Sequence, residues 1–223
     1  MLIHLVKKDI LIVKKYVLLI LFIAIGIPLF ILWRLPPFAQ ILGFVLSIIF
    51  SEFMLCQYLL LKESQYSKAS VLLCSTPYPR RGLVQSKYVL FAMVFIYCTL
   101  VYWIENLLIP QIGTFDLTYI LIVLLISSII YGVYMPIQYK LGYETTKFFF
   151  VVIIMASSFV LPLTIAHSNF EIPFIYQYPS MIVNIVLFLL SLIILLASMF
   201  ISIKISGIFF CTSLIFEVIP IKP

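Results

Sequence analysis

Six stretches of roughly 20 mostly apolar residues dominate this 223-residue chain. A helix needs about 20 apolar residues to cross the roughly 30 Å hydrocarbon core of a bilayer. The predicted spans are residues 16–33, 38–61, 88–109, 118–137, 148–166 and 180–203. Because 65% of the residues are hydrophobic and only 10% are charged, a water-soluble fold could not cover this surface with polar groups. The sequence therefore predicts an all-α integral membrane protein, with residues 1–223 forming a single transmembrane domain.

Basic residues are distributed unevenly along the chain. Every lysine and arginine except Arg34 lies in the N-terminal stretch, in the connections after the second and fourth spans, or after the sixth span. Positively charged loops remain in the cytoplasm, so both termini are predicted to be cytoplasmic. That orientation requires an even number of spans, which six satisfies. The net charge of +6 is thereby assigned to cytoplasmic loops rather than to nucleic-acid binding.

The first fifteen residues differ from the spans in their pattern. Val6, Ile10 and Val13 recur at helical spacing and alternate with two pairs of lysines. Such a segment can lie in the cytoplasmic membrane interface with its lysines toward lipid phosphates, so residues 1–15 are predicted to form an interfacial amphipathic helix. The alternative is that they form only the flank of the first span.

Few residues could carry chemistry at membrane depth. Glu52 lies in the second span, and it is predicted either to line a possible translocation path or to form a hydrogen bond between helices. The sequence contains no HExxH, GxSxG or GxxxxGK[ST] motif. The four cysteines show no paired metal-binding spacing. The sequence therefore predicts no catalytic residues and no metal site.

The connection between the second and third spans, residues 62–87, is the longest polar stretch. Its first part, to about Cys74, is predicted to continue as a helix, which Pro77 then ends. A second helical piece is predicted to begin at Arg80 and to lead into the third span. The length of this connection favours a docking surface for a cytoplasmic partner, whereas a loop that only sets the topology could be shorter.

Two stretches resemble the ABC type 2 exporter permease family. LLCSTPYPRRGLVQSKYV is similar to the cytoplasmic loop of that family, and YGVYMPIQYKLGYETTK is similar to its segment after the fourth span. The matching residues are Pro77, Arg80, Val84, Lys87 and Tyr88 in the first stretch, and Pro136, Lys140, Gly142 and Lys147 in the second. The tail departs from the family, because residues 205–219 stay apolar where a short polar end is expected.

The resemblance implies a non-catalytic permease subunit of an ATP-binding-cassette exporter in a bacterial cell membrane. Among such permeases the chain looks most like those that export phenol-soluble modulins or antimicrobial peptides. The resemblance also implies two copies of a separate ATPase and a second permease chain, in a homodimer or a heterodimer. No cofactor is expected in this chain, since ATP and Mg would be bound by the ATPase.

The same resemblance implies a coupling helix in the connection at residues 62–87 and a second contact near residues 140–147. The residues expected to couple to the ATPase are Glu63, Ser64, Tyr66, Ser67, Lys68, Lys140, Gly142 and Lys147. An intramembrane enzyme is a weaker hypothesis, because Glu52 alone supplies too few catalytic groups. A membrane scaffold or immunity protein, which binds a peptide without transporting it, is the alternative that the sequence leaves open.

Overall fold

The computed structural model describes residues 2–34, 39–65, 80–109, 116–142, 145–146, 148, 151–152 and 180–218. The regular structure within these residues is helical. Its long helices are α1 Leu2–Arg34, α2 Ala39–Gln65, α3 Arg80–Leu108, α4 Leu117–Leu141 and α5 Ser180–Val218. The predicted all-α fold is therefore confirmed for the described part of the chain.

Four of these helices are long and apolar enough to cross a membrane. Their apolar segments are Leu42–Lys62, Arg81–Leu108, Leu117–Leu141 and Met181–Ser206. They coincide with the predicted second, third, fourth and sixth spans. Each of these segments contains a run of about 20 mostly apolar residues, which is the length that a spanning helix needs. Most of the predicted fifth span, residues 148–166, lies outside the described residues.

Helix α1 runs without a break across the predicted boundary between an interfacial helix at residues 1–15 and a span at residues 16–33. In its first half Val6 and Val13 are buried, whereas Lys7 and Lys14 are exposed. The alternation of apolar residues and lysines thus gives α1 one face that packs against protein. Its shorter apolar segment, Phe22–Arg34, follows in the second half and contains Pro28 without a helix end.

Helix α2 is the most buried of the four apolar helices. Protein buries 72% of its apolar segment but only 17% of the α5 segment. Phe44, Ile48 and Phe53 of α2 are among the largest fully buried side chains. Helix α1 packs along α2, α4 packs along α5, and α3 contacts α1, α2 and α5. Helix α3 therefore joins the two helix pairs.

Glycine permits one close helix approach. A Cβ atom added to Gly43 of α2 would lie 3.3 Å from the Pro28 Cα atom of α1. Because Gly43 has no side chain, the backbone of α2 can approach Pro28 of α1 closely there. The small residue thus sets the separation of α1 and α2.

Candidate functional site

Helix α3 contacts three other helices through three consecutive residues in its second and third turns. The helix begins at Arg80, the first described residue after the basic connection. Successive residues of an α-helix project about 100° apart, so Ser86, Lys87 and Tyr88 together cover about 200° of the helix surface. These three residues and their hydrogen-bonding partners are called the Ser86–Tyr88 cluster below.

Ser86 connects α3 to α1. Its hydroxyl donates to Asp9 Oδ2 over 2.8 Å and also approaches the Leu83 carbonyl oxygen at 3.0 Å. Asp9 is 1% exposed, and the Lys8 Nζ atom lies 3.2 Å from its second carboxylate oxygen. Hydrogen bonds to a charged acceptor are stronger than neutral ones. A buried, charge-assisted contact therefore fixes the beginning of α1 to the beginning of α3.

Lys87 connects α3 to α4 through its backbone and its side chain. The Tyr131 hydroxyl donates to the Lys87 carbonyl oxygen over 3.0 Å. The Lys87 ammonium lies 5.4 Å from the centre of the Tyr139 ring, within the range of a cation–π interaction. The Lys87 side chain is buried, so these contacts offset part of the cost of removing its charge from water.

Tyr88 connects α3 to α5 and, through α5, to α4. Its hydroxyl lies 2.7 Å from Ser198 Oγ and 3.0 Å from Ser202 Oγ. The Ser198 hydroxyl donates its hydrogen to the Gly132 carbonyl oxygen over 2.7 Å, so Ser198 must accept from Tyr88. The hydrogen of Tyr88 is then used, and Ser202 must donate to Tyr88. The result is a directed chain of three hydrogen bonds across α3, α4 and α5.

A second group of polar residues lies at membrane depth. Glu52 of α2 is 3% exposed, and neither of its carboxyl oxygens has a hydrogen-bond partner among the described residues. It lies within electrostatic range of Cys98 and Tyr131. Glu105, near the other end of α3, is 7% exposed, and its carboxyl oxygens likewise lack a partner within the described ranges. The hydrogen bond between helices that was one prediction for Glu52 is thus not seen in the described part of the chain.

The predicted coupling residues are placed only in part. Glu63 and Ser64 lie in the last turn of α2. Lys140 is exposed in the last turn of α4, and Gly142 ends that helix, with its amide donating to the Gln138 carbonyl oxygen over 2.9 Å. Outside the described residues lie the remaining predicted coupling and motif residues Tyr66, Ser67, Lys68, Pro77 and Lys147.

Two of the family-like residues that the structure describes belong to the Ser86–Tyr88 cluster. Lys87 and Tyr88 belong to it, Arg80 begins the same helix, and Pro136 lies inside α4 without ending it. The backbone of Gly142 has φ +78° and ψ 173°, a region that residues with a side chain rarely adopt. The family pattern therefore coincides with a helix junction and with one position that requires glycine.

The residues of other helices that bond to Ser86, Lys87 and Tyr88 were not predicted from the sequence. Asp9 carried one available signal, because it is the only acidic residue in the strongly basic N-terminal stretch. Ser198 and Ser202 are small polar residues in an apolar span, and nothing in the sequence sets them apart. Tyr131 gave no signal, since aromatic residues are common in spanning helices. These residues become recognisable only when the helices are brought together.

Comparison with known proteins agrees with this architecture. Residues 4–206 match the family described as ABC-2 family transporter protein. Among curated proteins and solved structures, none matches. The matched segment includes every described helix up to the middle of α5 and therefore most of the chain. On the strength of that match this chain belongs to the ABC-2 transporter family and is a multi-pass, membrane-embedded component of it.

Proposed function

We propose that this chain is the permease subunit of an ATP-driven exporter of amphipathic or cytolytic peptides. The observation that carries the proposal is the Ser86–Tyr88 cluster. It lies within three turns of Arg80, where the chain leaves the basic connection at residues 62–87. A partner that binds the connection would act directly on the helix that contacts α1, α2, α4 and α5.

The proposed coupling is mechanical. A separate cytoplasmic ATPase, present in two copies, binds the connection at residues 62–87 and the segment near Lys140–Lys147. When the ATPase closes, the Arg80 end of α3 is displaced. Because Ser86, Lys87 and Tyr88 bond to three helices, the displacement reaches α1, α4 and α5 together. Such coupling requires that the ATPase bind two arrangements of the bundle with different affinities.

The proposed orientation places both termini and the cluster on the cytoplasmic side. Lys62, Arg81 and Lys140 lie at the same ends of their helices as this cluster, in agreement with the positive-inside rule. A second permease chain completes the transport path in this proposal. Glu52, buried without a described hydrogen bond, is assigned to that path as a contact for a cationic group of the peptide.

The first experiment is affinity purification of the tagged chain in mild detergent from its native host. An ATPase that co-purifies in stoichiometric amount supports the exporter. Glu63→Lys and Tyr66→Ala are expected to release that ATPase while membrane insertion is retained. Retention of the ATPase by both variants would contradict the docking role of the connection. Absence of any ATPase would favour a scaffold or immunity protein.

The second experiment measures ATP-dependent peptide accumulation in inverted vesicles that contain the purified complex. Tyr88→Phe is expected to reduce accumulation several-fold while the ATPase remains bound, because the contact of α3 with α5 is lost. Tyr97→Phe is the matched control, since it removes a hydroxyl from the same helix that has no hydrogen-bond partner among the described residues. Equal accumulation in both variants would contradict transmission through the cluster. ATP-independent peptide binding alone would indicate a scaffold.

A further inference from the structure

An apolar cleft of about 170 Å³ lies beside the Ser86–Tyr88 cluster and takes no part in its contacts. Its lining residues come from α1, α2 and α3 and are Ile10, Ile20, Leu55, Leu90, Met93, Val94 and Tyr97. The Tyr97 hydroxyl is the one polar side-chain group among them. The chemistry of the cleft suits a hydrocarbon chain rather than water.

The cleft has a buried floor and an exposed rim. Ile20, Leu55 and Leu90 are 3%, 5% and 6% exposed, whereas Ile10 of α1 and Met93 of α3 are 38% and 49% exposed. The cleft therefore opens sideways between α1 and α3, with α2 behind it. A sideways opening on an apolar helix surface faces the hydrocarbon region of the bilayer.

The cleft extends from one leaflet to about the middle of the bilayer. Leu90 and Tyr97 follow Arg81 by nine and sixteen residues, which at 1.5 Å per residue places them about 13 Å and about 24 Å along the helix. Arg81 is exposed and begins the apolar segment of α3. With Arg81 at the headgroups of a bilayer whose hydrocarbon core is about 30 Å thick, Leu90 lies among the acyl chains of the same leaflet and Tyr97 lies near the bilayer midplane.

Positive charge lies along the rim that α1 gives to the cleft. Lys7 and Lys14 are exposed on α1, three residues before and four residues after Ile10. Residues at this spacing share one face of a helix, so both lysines flank the rim residue Ile10. The hydrogen bond between Ser86 and Asp9 holds α1 against α3 just beyond this point. The charge and the depth together indicate a lipid with an anionic headgroup.

We infer that the cleft between α1 and α3 binds one acyl chain of an anionic phospholipid, whose phosphate is held by Lys7 and Lys14. This inference rests on the orientation proposed above but requires neither the ATPase nor a peptide. The lipid would fill the side of the bundle at the point where α1 and α3 are joined.

The test uses fluorescence quenching by lipids with brominated acyl chains. In a variant with Trp33→Phe and Trp103→Phe, which removes both native tryptophans, Tyr97→Trp places a single reporter in the cleft. Ile96→Trp, at a neighbouring position that is 59% exposed, provides a matched reporter on the lipid-facing surface. Each variant is placed in vesicles that contain brominated phosphatidylglycerol or brominated phosphatidylcholine at equal mole fraction.

The cleft reporter is expected to be quenched more strongly by brominated phosphatidylglycerol, and the surface reporter equally by both lipids. A basic residue near the surface contributes about five-fold in affinity for anionic lipid, so Lys7→Gln should reduce the preference by about that factor. Equal quenching of the cleft reporter by both lipids would show a non-specific lipid contact and overturn the inference. Absence of quenching would show that another segment of this chain or a second copy fills the cleft.

A second measurement leaves the cleft unaltered. The native chain is irradiated with phosphatidylglycerol that carries a photoactivatable group in its acyl chain, and the cross-linked peptides are identified by mass spectrometry. Cross-links are expected at Ile10 and across residues 90–97, and excess phosphatidylglycerol without the photoactivatable group should reduce them. Cross-links confined to exposed α5 residues, such as Phe200, would overturn the inference even if the tryptophan variants failed to fold. Export activity enters neither measurement, so their failure would leave the proposed transport function untouched.

Discussion

The two polar regions of this bundle differ in how their polar atoms are satisfied. In the Ser86–Tyr88 cluster the side-chain hydroxyls and one oxygen of the Asp9 carboxylate bond to groups on other helices, and the second Asp9 oxygen forms an ion pair with Lys8. Elsewhere in α2 and α3, the carboxyl oxygens of Glu52 and Glu105 have no hydrogen-bond partner among the described residues. The polar residues of both regions are buried, so the extent of burial does not distinguish one region from the other.

The difference indicates two different roles. A buried polar group without a hydrogen bond is costly, particularly where no water is available. The cluster avoids that cost with fixed internal contacts, as expected of a junction that transmits force between helices. The Glu52 carboxyl has no such contact among the described residues, and because protein encloses it, the proposed contact with a peptide requires the helices around it to open. Substitutions in the first region should therefore affect stability, and substitutions in the second should mainly affect transport.

The largest expected effect is that of Asp9→Ala. This change removes the charged acceptor of Ser86 and the partner of Lys8, and hydrogen bonds to charged groups contribute about 1.5–3 kcal/mol. We expect the free energy of unfolding, measured by detergent denaturation, to fall by about that amount. Asp116→Ala, which removes an exposed acidic residue with no side-chain capping hydrogen bond, should have little effect. Equal stability of the two variants would show that the Asp9 contact does not hold α1 to α3.

Gly142→Ala should have the next largest effect. The backbone angles of Gly142 cost a residue with a side chain about 1–3 kcal/mol, and the exposed position allows part of this strain to relax. Gly26→Ala is the control, because a Cβ atom there meets nothing within 4 Å and alanine favours a helix. The same denaturation assay should show a lower free energy of unfolding for Gly142→Ala and no decrease for Gly26→Ala. If the stability of the Gly142→Ala variant were unchanged, the end of α4 would be able to rearrange without cost.

A smaller effect is expected for Tyr88→Phe. The change removes two hydrogen bonds between helices, which in membrane proteins contribute on average about 0.6 kcal/mol each. Ser202 can recover a partner by bonding to a carbonyl of its own helix, which limits the loss. We expect the free energy of unfolding to fall by about 1 kcal/mol. Tyr97→Phe should leave the free energy of unfolding unchanged in the same measurement. A larger loss of stability for Tyr97→Phe than for Tyr88→Phe would contradict a stabilising role for the Tyr88 hydrogen bonds.

The smallest effect on stability is expected for Glu52→Gln. The free energy of unfolding should change by about 0.5 kcal/mol or less, because neither side chain has a described hydrogen bond to lose. Peptide accumulation in vesicles should nevertheless fall several-fold, since the amide cannot hold a cationic group as a carboxylate does. A fall in stability of about 2 kcal/mol with unchanged transport would instead identify Glu52 as a structural residue.

The spans could be predicted from the sequence because hydrophobic length is a local property. The apolar runs at residues 38–61, 88–109, 118–137 and 180–203 each lie within a helix of the structure, apart from one end residue in the first two runs. The exact ends were less predictable. The helical piece predicted to begin at Arg80 is confirmed as the start of α3, whereas α5 continues past the predicted end of the sixth span to Val218, because a helix extends beyond the membrane wherever no proline or glycine ends it. The division of α1 at residue 15 also rested on a change in polarity that does not break the helix.

The sequence by itself therefore determined the membrane location and the family, and it placed Lys87 and Tyr88 in a family-like stretch. Only the tertiary structure decided what those residues contact. Asp9 and Ser86 are 77 positions apart, and Tyr88 and Ser198 are 110 apart, so no local pattern could pair them. The physical reason is that apolar length fixes each helix separately, whereas the partners of a polar side chain depend on which helix faces pack together.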